Sequence, residues 1–266
     1  MSSIDAFFAT VKLPSISEVA QQLIKTLNRD DAGIQEVSDI IAKDPALTAK
    51  LLRLANSAQF GLPRGVASLD EAIHMVGMAK VRALTLTACM NDSFPTFPGL
   101  NAQEFWRFSM ACAGYTQWLA SRLGMDGQLA WLTGMMVRLG ELLILQAQPQ
   151  ALTEIEKMPH QPGSRWEREK RLIGFSEGQI TAELARRWNF PIQIVQALER
   201  SYDPLVEQAF SRLGTVLSLA GTLADIPNAT ADALDLLPSD AITKLGLDTT
   251  WMKTSFPAAE SFIHIT

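Results

Sequence analysis

Apolar positions are densest between residues 129 and 144, LAWLTGMMVRLGELLI. Leu129, Leu132, Met136, Leu139 and Leu143 repeat at helical spacing, while Trp131, Met135, Val137, Leu142 and Ile144 carry apolar bulk to the other sides. A helix that is apolar nearly all round is either a membrane span or the centre of a bundle. Arg138 and Glu141 in its middle argue against the span, where a charge is costly. The stretch predicts one continuous buried helix running to about Gln146. The question it poses is what Arg138 does there.

Other helix starts are legible from their caps. Ser15-Ile-Ser-Glu18 fits a capping box and predicts a helix to about Asn28. Gly33 precedes a helix over 34–43, and Asp44-Pro45 supplies an N-cap and a first-turn proline for a helix to Ser57. Ser68-Leu-Asp-Glu71 opens 69–76, and 78–91 resumes after Gly77. Residues 92–100, DSFPTFPGL, predict a boundary between bundles. Asn101 then caps 102–123, Ser176 caps a helix to about Trp188, and Asn189-Phe-Pro191 restarts one to about Tyr202. Residues 205–225 are predicted helical, and 230–266 read as short helices separated by Pro238, Gly246 and Pro257. No stretch of strict polar–apolar alternation is bounded by hairpin turns, so the predicted fold class is all-α. It comprises an N-terminal bundle over 1–92, a second bundle over 101–230 and a helical cap over 231–266.

Composition narrows the function classes. The chain has 266 residues, 47% hydrophobic and 19% charged, with a net charge of −5. There is no basic stripe, which disfavours a general nucleic-acid binder. Cys89 and Cys112 sit in apolar helical patterns and read as buried free thiols of a reducing compartment, the alternative that spacing leaves open being a disulfide. The N-terminus lacks the basic and apolar regions of a signal peptide. No run of about 18 apolar residues is free of charge, so no membrane helix is predicted. The expected location is the cytoplasm. The three histidines, His74, His160 and His264, share no helix face at metal-ligand spacing. Serine-hydrolase, phosphate-loop, dinucleotide and Cys-x-x-Cys signatures are missing.

Three segments together carry a family resemblance. They are DPALTAKLLRLANSAQFGLPRGVASLDEAIHMVGMAKVRAL (44–84), FWRFSMACA (105–113) with the central helix, and GFSEGQITAELARRWNFPIQIVQALERSYDP (174–204). They resemble the HDOD domain, a bacterial signalling module related to the HD phosphohydrolases, over roughly residues 10–225. The first segment is the most specific. Its relatives among the HD phosphohydrolases use histidines, a His-Asp doublet and a later aspartate to hold a divalent metal that activates water. At the doublet this chain has Val137-Arg138, and at the other ligand positions Phe108, Glu177 and Ser201-Tyr202. Asp225 alone matches a carboxylate. The resemblance thus implies the fold, while the metal ligands are missing and no cofactor is expected.

Two readings of Arg138 stay open. It points into the former metal pocket and bridges Asp225 or Glu177, or it pairs locally with Glu141 one turn on. Within 51–64, the polar residues Arg53, Asn56, Gln59 and Arg64 form a candidate recognition surface with Lys80 and Arg82. The alternative is that Asn56 closes a helix end and the arginines are solvated. The charge run Arg165–Arg171 reads as a solvated helix face or a docking site for an acidic partner. Phe7, Phe8, Trp251, Phe256 and Phe262 lie in the terminal segments and, if exposed, offer an apolar patch.

The expected function is a non-catalytic HDOD-type interaction module, a pseudoenzyme of bacterial signal transduction. With no output domain following, it is expected to act through a signalling protein partner of unknown identity or a small ligand between the bundles. No membrane is involved. The alternatives are a metal-dependent phosphohydrolase with a rebuilt site, or a nucleotide-binding regulator whose Arg53, Arg64 and Arg82 contact phosphate.

Overall fold

A computed structural model describes residues 4–29, 31–56, 65–94, 99–158, 161–206, 210–258 and 260–263. Among these the chain is helical, with no strand. In chain order the helices are α1 (Ile4–Ala9), α2 (Glu18–Leu27), α3 (Ile34–Ala42), α4 (Pro45–Ala55), α5 (Leu69–Val76) and α6 (Met78–Ser93). Next come α7 (Ala102–Arg122), α8 (Gly127–Met136), α9 (Leu139–Ala147), α10 (Pro149–Lys157), α11 (Arg165–Ile173), α12 (Glu177–Arg187) and α13 (Ile192–Arg200). The series ends with α14 (Arg212–Ala224), α15 (Ser239–Leu245), α16 (Thr249–Thr254) and α17 (Glu260–Ile263). A 3-10 segment, Ala231–Leu236, precedes α15.

The chain divides into two units. The first holds residues 14–95 with 188–191 and contains α2 to α6. Its core is built on Leu23, Ile24, Val37, Ile41, Ile73 and Leu86, all essentially inaccessible. Its caps match the local sequence. The Asp44 carboxylate accepts from Leu47 N–H at 3.0 Å with Pro45 in the first turn, and Ser68 Oγ accepts from Glu71 N–H at 3.2 Å. The first cap is Ser17 rather than Ser15: its hydroxyl accepts from Ala20 N–H, and Ile16 is buried just before it.

The second unit holds residues 1–13, 96–187 and 192–263. Residues 4–13 therefore group with this unit and not with the first bundle, contrary to the sequence expectation. Phe7 and Phe8 are buried, and the Arg187 guanidinium lies over the Phe8 ring. The aromatics after residue 250 are likewise no free patch. Trp251 stacks on Trp118 of α7 with ring centres 5.1 Å apart, and Phe256 and Phe262 flank Tyr115 at 5.6 and 5.1 Å. The expected helix over 205–225 begins only at Arg212, where Ser211 Oγ caps Gly214 N–H.

The central helix departs most from expectation. It is two helices, α8 and α9, interrupted at Val137 and Arg138. Beyond the break Glu141 N–H bonds Arg138 C=O, a tight three-residue turn. Thr181 of α12 staples the gap: its hydroxyl donates to Val137 C=O at 2.9 Å and accepts from Gly140 N–H at 2.8 Å. Gly140 is needed there, because a Cβ at that position would lie 2.2 Å from Glu177 C=O. The stretch 127–147 is long and apolar enough to cross a membrane, but 83% of its most apolar window is buried inside the protein.

Candidate functional site

The break in the central helix delivers Arg138 to the middle of a buried charge cluster. Arg138 is 4% exposed and leaves the end of α8 beneath the Phe108 ring of α7, with its guanidinium carbon 3.4 Å from the ring centre. Three carboxylates from three elements surround it. Arg138 Nε lies 3.4 Å from Glu141 Oε2 and 3.7 Å from Glu177 Oε2, and Nη2 lies 3.9 Å from Asp225 Oδ1. The pocket bridge and the local pair, opposed in the sequence reading, thus coexist. Asp225 also accepts from Gly163 N–H at 3.0 Å, which ties the end of α14 to the turn before α11.

A second guanidinium, Arg165 of α11, interleaves with the first. It donates to Glu169 Oε1 at 3.0 Å, bonds Glu156, and stands 3.4 Å from Glu141 Oε2 and 3.7 Å from Glu177 Oε2. Glu177 Oε1 accepts from Trp166 Nε1 at 2.8 Å, and Glu169 Oε2 accepts from Glu177 N–H at 2.6 Å. Arg168, also buried, donates to Ile155 C=O at 2.7 Å. The charge run 165–171 is therefore no solvated face: Arg165, Trp166, Arg168 and Glu169 turn inward. The signal was present in the spacing, since Trp166, Glu169 and Ile173 fall on one helical stripe.

Three guanidiniums and four carboxyl groups (Glu141, Glu169, Glu177 and Asp225) are nine-tenths buried or more. Such a set holds together only with mutual neutralisation. Burial and the charge of Glu177 push the Glu169 carboxyl up to about 8. Burial also raises Glu177, against the pull of Arg138 and Arg165. For Arg165 burial opposes the charge, but Glu141, Glu169, Glu177 and Glu156 outweigh it and hold the proton more firmly than usual. Cys112 lies in the same core, and burial pushes its thiol up to about 12, so it is an inert group.

A cavity of about 810 Å³ opens above this cluster, wholly within the second unit. Arg138, Glu141, Arg165 and Asp225 form its polar floor, and Phe105, Leu145, Leu152 and Ile226 line its walls. Among the described residues no group of three or more His, Cys, Asp or Glu side chains is placed to hold a metal ion. The residues present do not fit a divalent metal, because a fixed guanidinium occupies the space between the carboxylates.

The remaining sequence-predicted residues lie elsewhere. Val137 is buried at the break and contributes its carbonyl to Thr181. Tyr202 is not in the cluster; Lys170 Nζ lies 4.6 Å from its ring centre. In the first unit Asn56 clasps Val66 through both backbone groups, at 2.9 and 2.7 Å. Arg82 donates to Thr26 C=O at 3.1 Å, so both residues serve the bundle itself. Lys80 is half-buried and Arg53 exposed. Gln59, Arg64, His160 and His264 lie outside the described residues.

This all-α fold matches a known class. The HDOD domain profile matches residues 13–204, and the chain belongs to the HDOD domain family. A curated, uncharacterized protein of Treponema pallidum (strain Nichols) is 24% identical over 191 residues, covering 70% of this chain and 37% of that protein. This chain thus spans little more than a third of that relative's length. Among solved structures, a candidate phosphohydrolase from Shewanella amazonensis SB2B is 26% identical with a TM-score of 0.72, over 91% of this chain and 89% of the other. An HDOD domain protein of unknown function from Geobacter sulfurreducens shares the fold at 20% identity, with a TM-score of 0.75 and 98% and 95% coverage.

Proposed function

We propose that this chain is a non-catalytic HDOD module of bacterial signal transduction that acts through contact with a protein partner. The observation that carries the reading is Arg138. The family resemblance aligns it with the metal-binding doublet, and it is buried among Glu141, Glu177 and Asp225 at 3.4–3.9 Å. Water activation by a metal needs an ion with an open coordination position. A guanidinium offers only N–H donors and does not give up its proton at physiological pH. It neutralises the carboxylates and supplies no Lewis acid.

The rival is a metal-dependent phosphohydrolase with a rebuilt site, and the Shewanella neighbour's description favours testing it directly. Tag-free protein is assayed by elemental mass spectrometry before and after incubation with manganese, iron and magnesium. It is then assayed for hydrolysis of p-nitrophenyl phosphate and of nucleotides. The expected result is substoichiometric metal throughout and no turnover above the blank. One tightly held metal per chain with chelator-sensitive turnover refutes the proposal.

A further inference from the structure

The end of the chain lies across α7 on an aromatic contact. Gly114 sits in the middle of α7, and a Cβ there would overlap the Phe262 ring of α17, so that ring rests on bare helix backbone. Tyr115 forms the wall beside it, edge-on at 5.1 Å. The elements on either side of Pro257 are held very differently. Before it, α16 is capped by Asp248, which accepts from Thr250 N–H and Trp251 N–H, and Met252 is fully buried. Trp251 is sandwiched between Trp118 and the Arg122 guanidinium, each 5.1 Å from its ring. After it, α17 is four residues long, and its Phe262 is only half-buried. Among the described residues, Pro257, Ala258, Ser261 and Phe262 make no hydrogen bond to another element; both bonds of Ser261 return to Ala258 C=O. Residues 257–263 can therefore lift without undoing α16.

We infer that this face of α7 is a docking groove for a phenylalanine-anchored helical turn of a partner protein, and that residues 257–263 are its built-in competitor. The occupant shows what fits: an aromatic ring laid on Gly114 against Tyr115, carried on a single turn. Laying an apolar anchor of a short helix into such a groove is a recurrent mode of peptide recognition. A second copy of this chain is the poorer occupant. Exchanging the segment between copies replaces each contact by an identical one and adds the entropic cost of association. A tethered segment competes at an effective concentration of about millimolar, so an incoming segment must make further contacts to displace it. The inference rests on the reading that the chain acts through a protein partner, and it names the surface used.

The test is nuclear magnetic resonance titration of the isotope-labelled full chain with a peptide of the sequence of residues 257–266, PAAESFIHIT, following the Gly114 amide and the Trp118 indole. In Phe262→Ala the groove is vacated, and the peptide is expected to bind with a Kd below about 1 mM. The wild-type chain should bind it at least tenfold more weakly, because its own Phe262 competes. Adding Gly114→Ala to Phe262→Ala should weaken binding at least tenfold, since the methyl occupies the place of the ring while alanine suits a helix better than glycine. No saturation of Phe262→Ala up to about 5 mM peptide overturns the inference. So does equal binding to the wild type, or binding unaltered in the double variant. Should Phe262→Ala not fold, Gly114→Ala alone decides: chymotrypsin should cut after Phe262 at least tenfold faster than in the wild type, and an unchanged rate overturns the inference. Light scattering of the wild type should give a monomer; a dimer abolished by Phe262→Ala would assign the groove to a second copy and overturn the partner claim. Metal-dependent turnover defeats the non-catalytic reading whatever the groove binds, whereas no turnover and no peptide binding defeats this inference alone.

Discussion

Replacing Arg138 by methionine removes the positive charge but keeps an unbranched chain of similar length. The structure sets the size of the effect. Three carboxylates, each nine-tenths buried or more, lose the guanidinium at 3.4–3.9 Å, and Phe108 loses its cation. Arg165 remains near Glu141 and Glu177 at 3.4 and 3.7 Å, but its hydrogen bonds go to Glu156 and Glu169. Stranding a buried charge by removing its partner costs about 3–5 kcal/mol. At about 2–4 °C per kcal/mol for a domain of this size, the melting temperature should fall by roughly 6–20 °C near neutral pH. Protonation relieves stranded carboxylates, so the deficit should shrink as the pH drops toward 5. Adding Glu177→Gln should recover part of it, because one stranded charge is gone. Urea denaturation followed by circular dichroism at both pH values measures all three. A deficit below about 1 kcal/mol at neutral pH, or one that does not change with pH, would refute the buried-cluster reasoning.

Three further outcomes follow from the same geometry. Glu169 is held up at about 8 against an ordinary 4.5, so the stability it contributes is full below about 4.5 and is lost as the pH rises toward 8. Unfolding free energy should therefore decline across that window by up to about 1.4 kcal/mol per pH unit, and Glu169→Gln should flatten the slope; identical pH profiles for the two proteins would count against the shift. Thr181→Val deletes the hydroxyl that bonds Val137 C=O and Gly140 N–H, and should cost about 1–3 kcal/mol in the same assay. Gly140→Ala places a Cβ 2.2 Å from a backbone carbonyl that cannot swing away, so it should lose at least as much, and a neutral result would mean that α9 and α12 are less closely packed.

The all-α class and the family were legible because local signals agreed with the fold. Asp44-Pro45, Ser68 and Asn101 cap the helices that their positions suggested. The break at Val137–Arg138 was not legible. Neither residue is a helix breaker, and both keep right-handed helical dihedrals. The interruption is held by Thr181, forty-odd residues away, a tertiary contact that no local pattern encodes. Of the cluster, Arg138 and Glu141 stood out in the apolar pattern of the central helix, whereas Glu177 and Asp225 could be placed only through the family's spacing. Arg165 and Glu169 were hidden by composition: in a run of alternating charges, the stripe formed with Trp166 and Ile173 is easily outweighed. Tyr202 shows the limit of spacing, since a residue two positions beyond the end of α13 is set by the loop and not by the helix.

The cluster's makeup bears on why charges stay in such a core. Well-packed apolar residues in place of a buried ion group are often at least as stable. Here two of the carboxyls also serve the backbone: Glu169 accepts from the first N–H of α12, and Asp225 accepts from Gly163 N–H ahead of α11. Removing Glu169 would leave a buried N–H unsatisfied, and removing Asp225 would untie the turn before α11, so both acids are bound to the helix ends they bond. Given fixed acids, those that ionise need a compensating cation. A guanidinium attached to the chain meets that need without depending on metal supply. On the proposed reading the acids and their cation are one arrangement: Arg138 supplies from within the chain the positive charge that Glu141, Glu177 and Asp225 need.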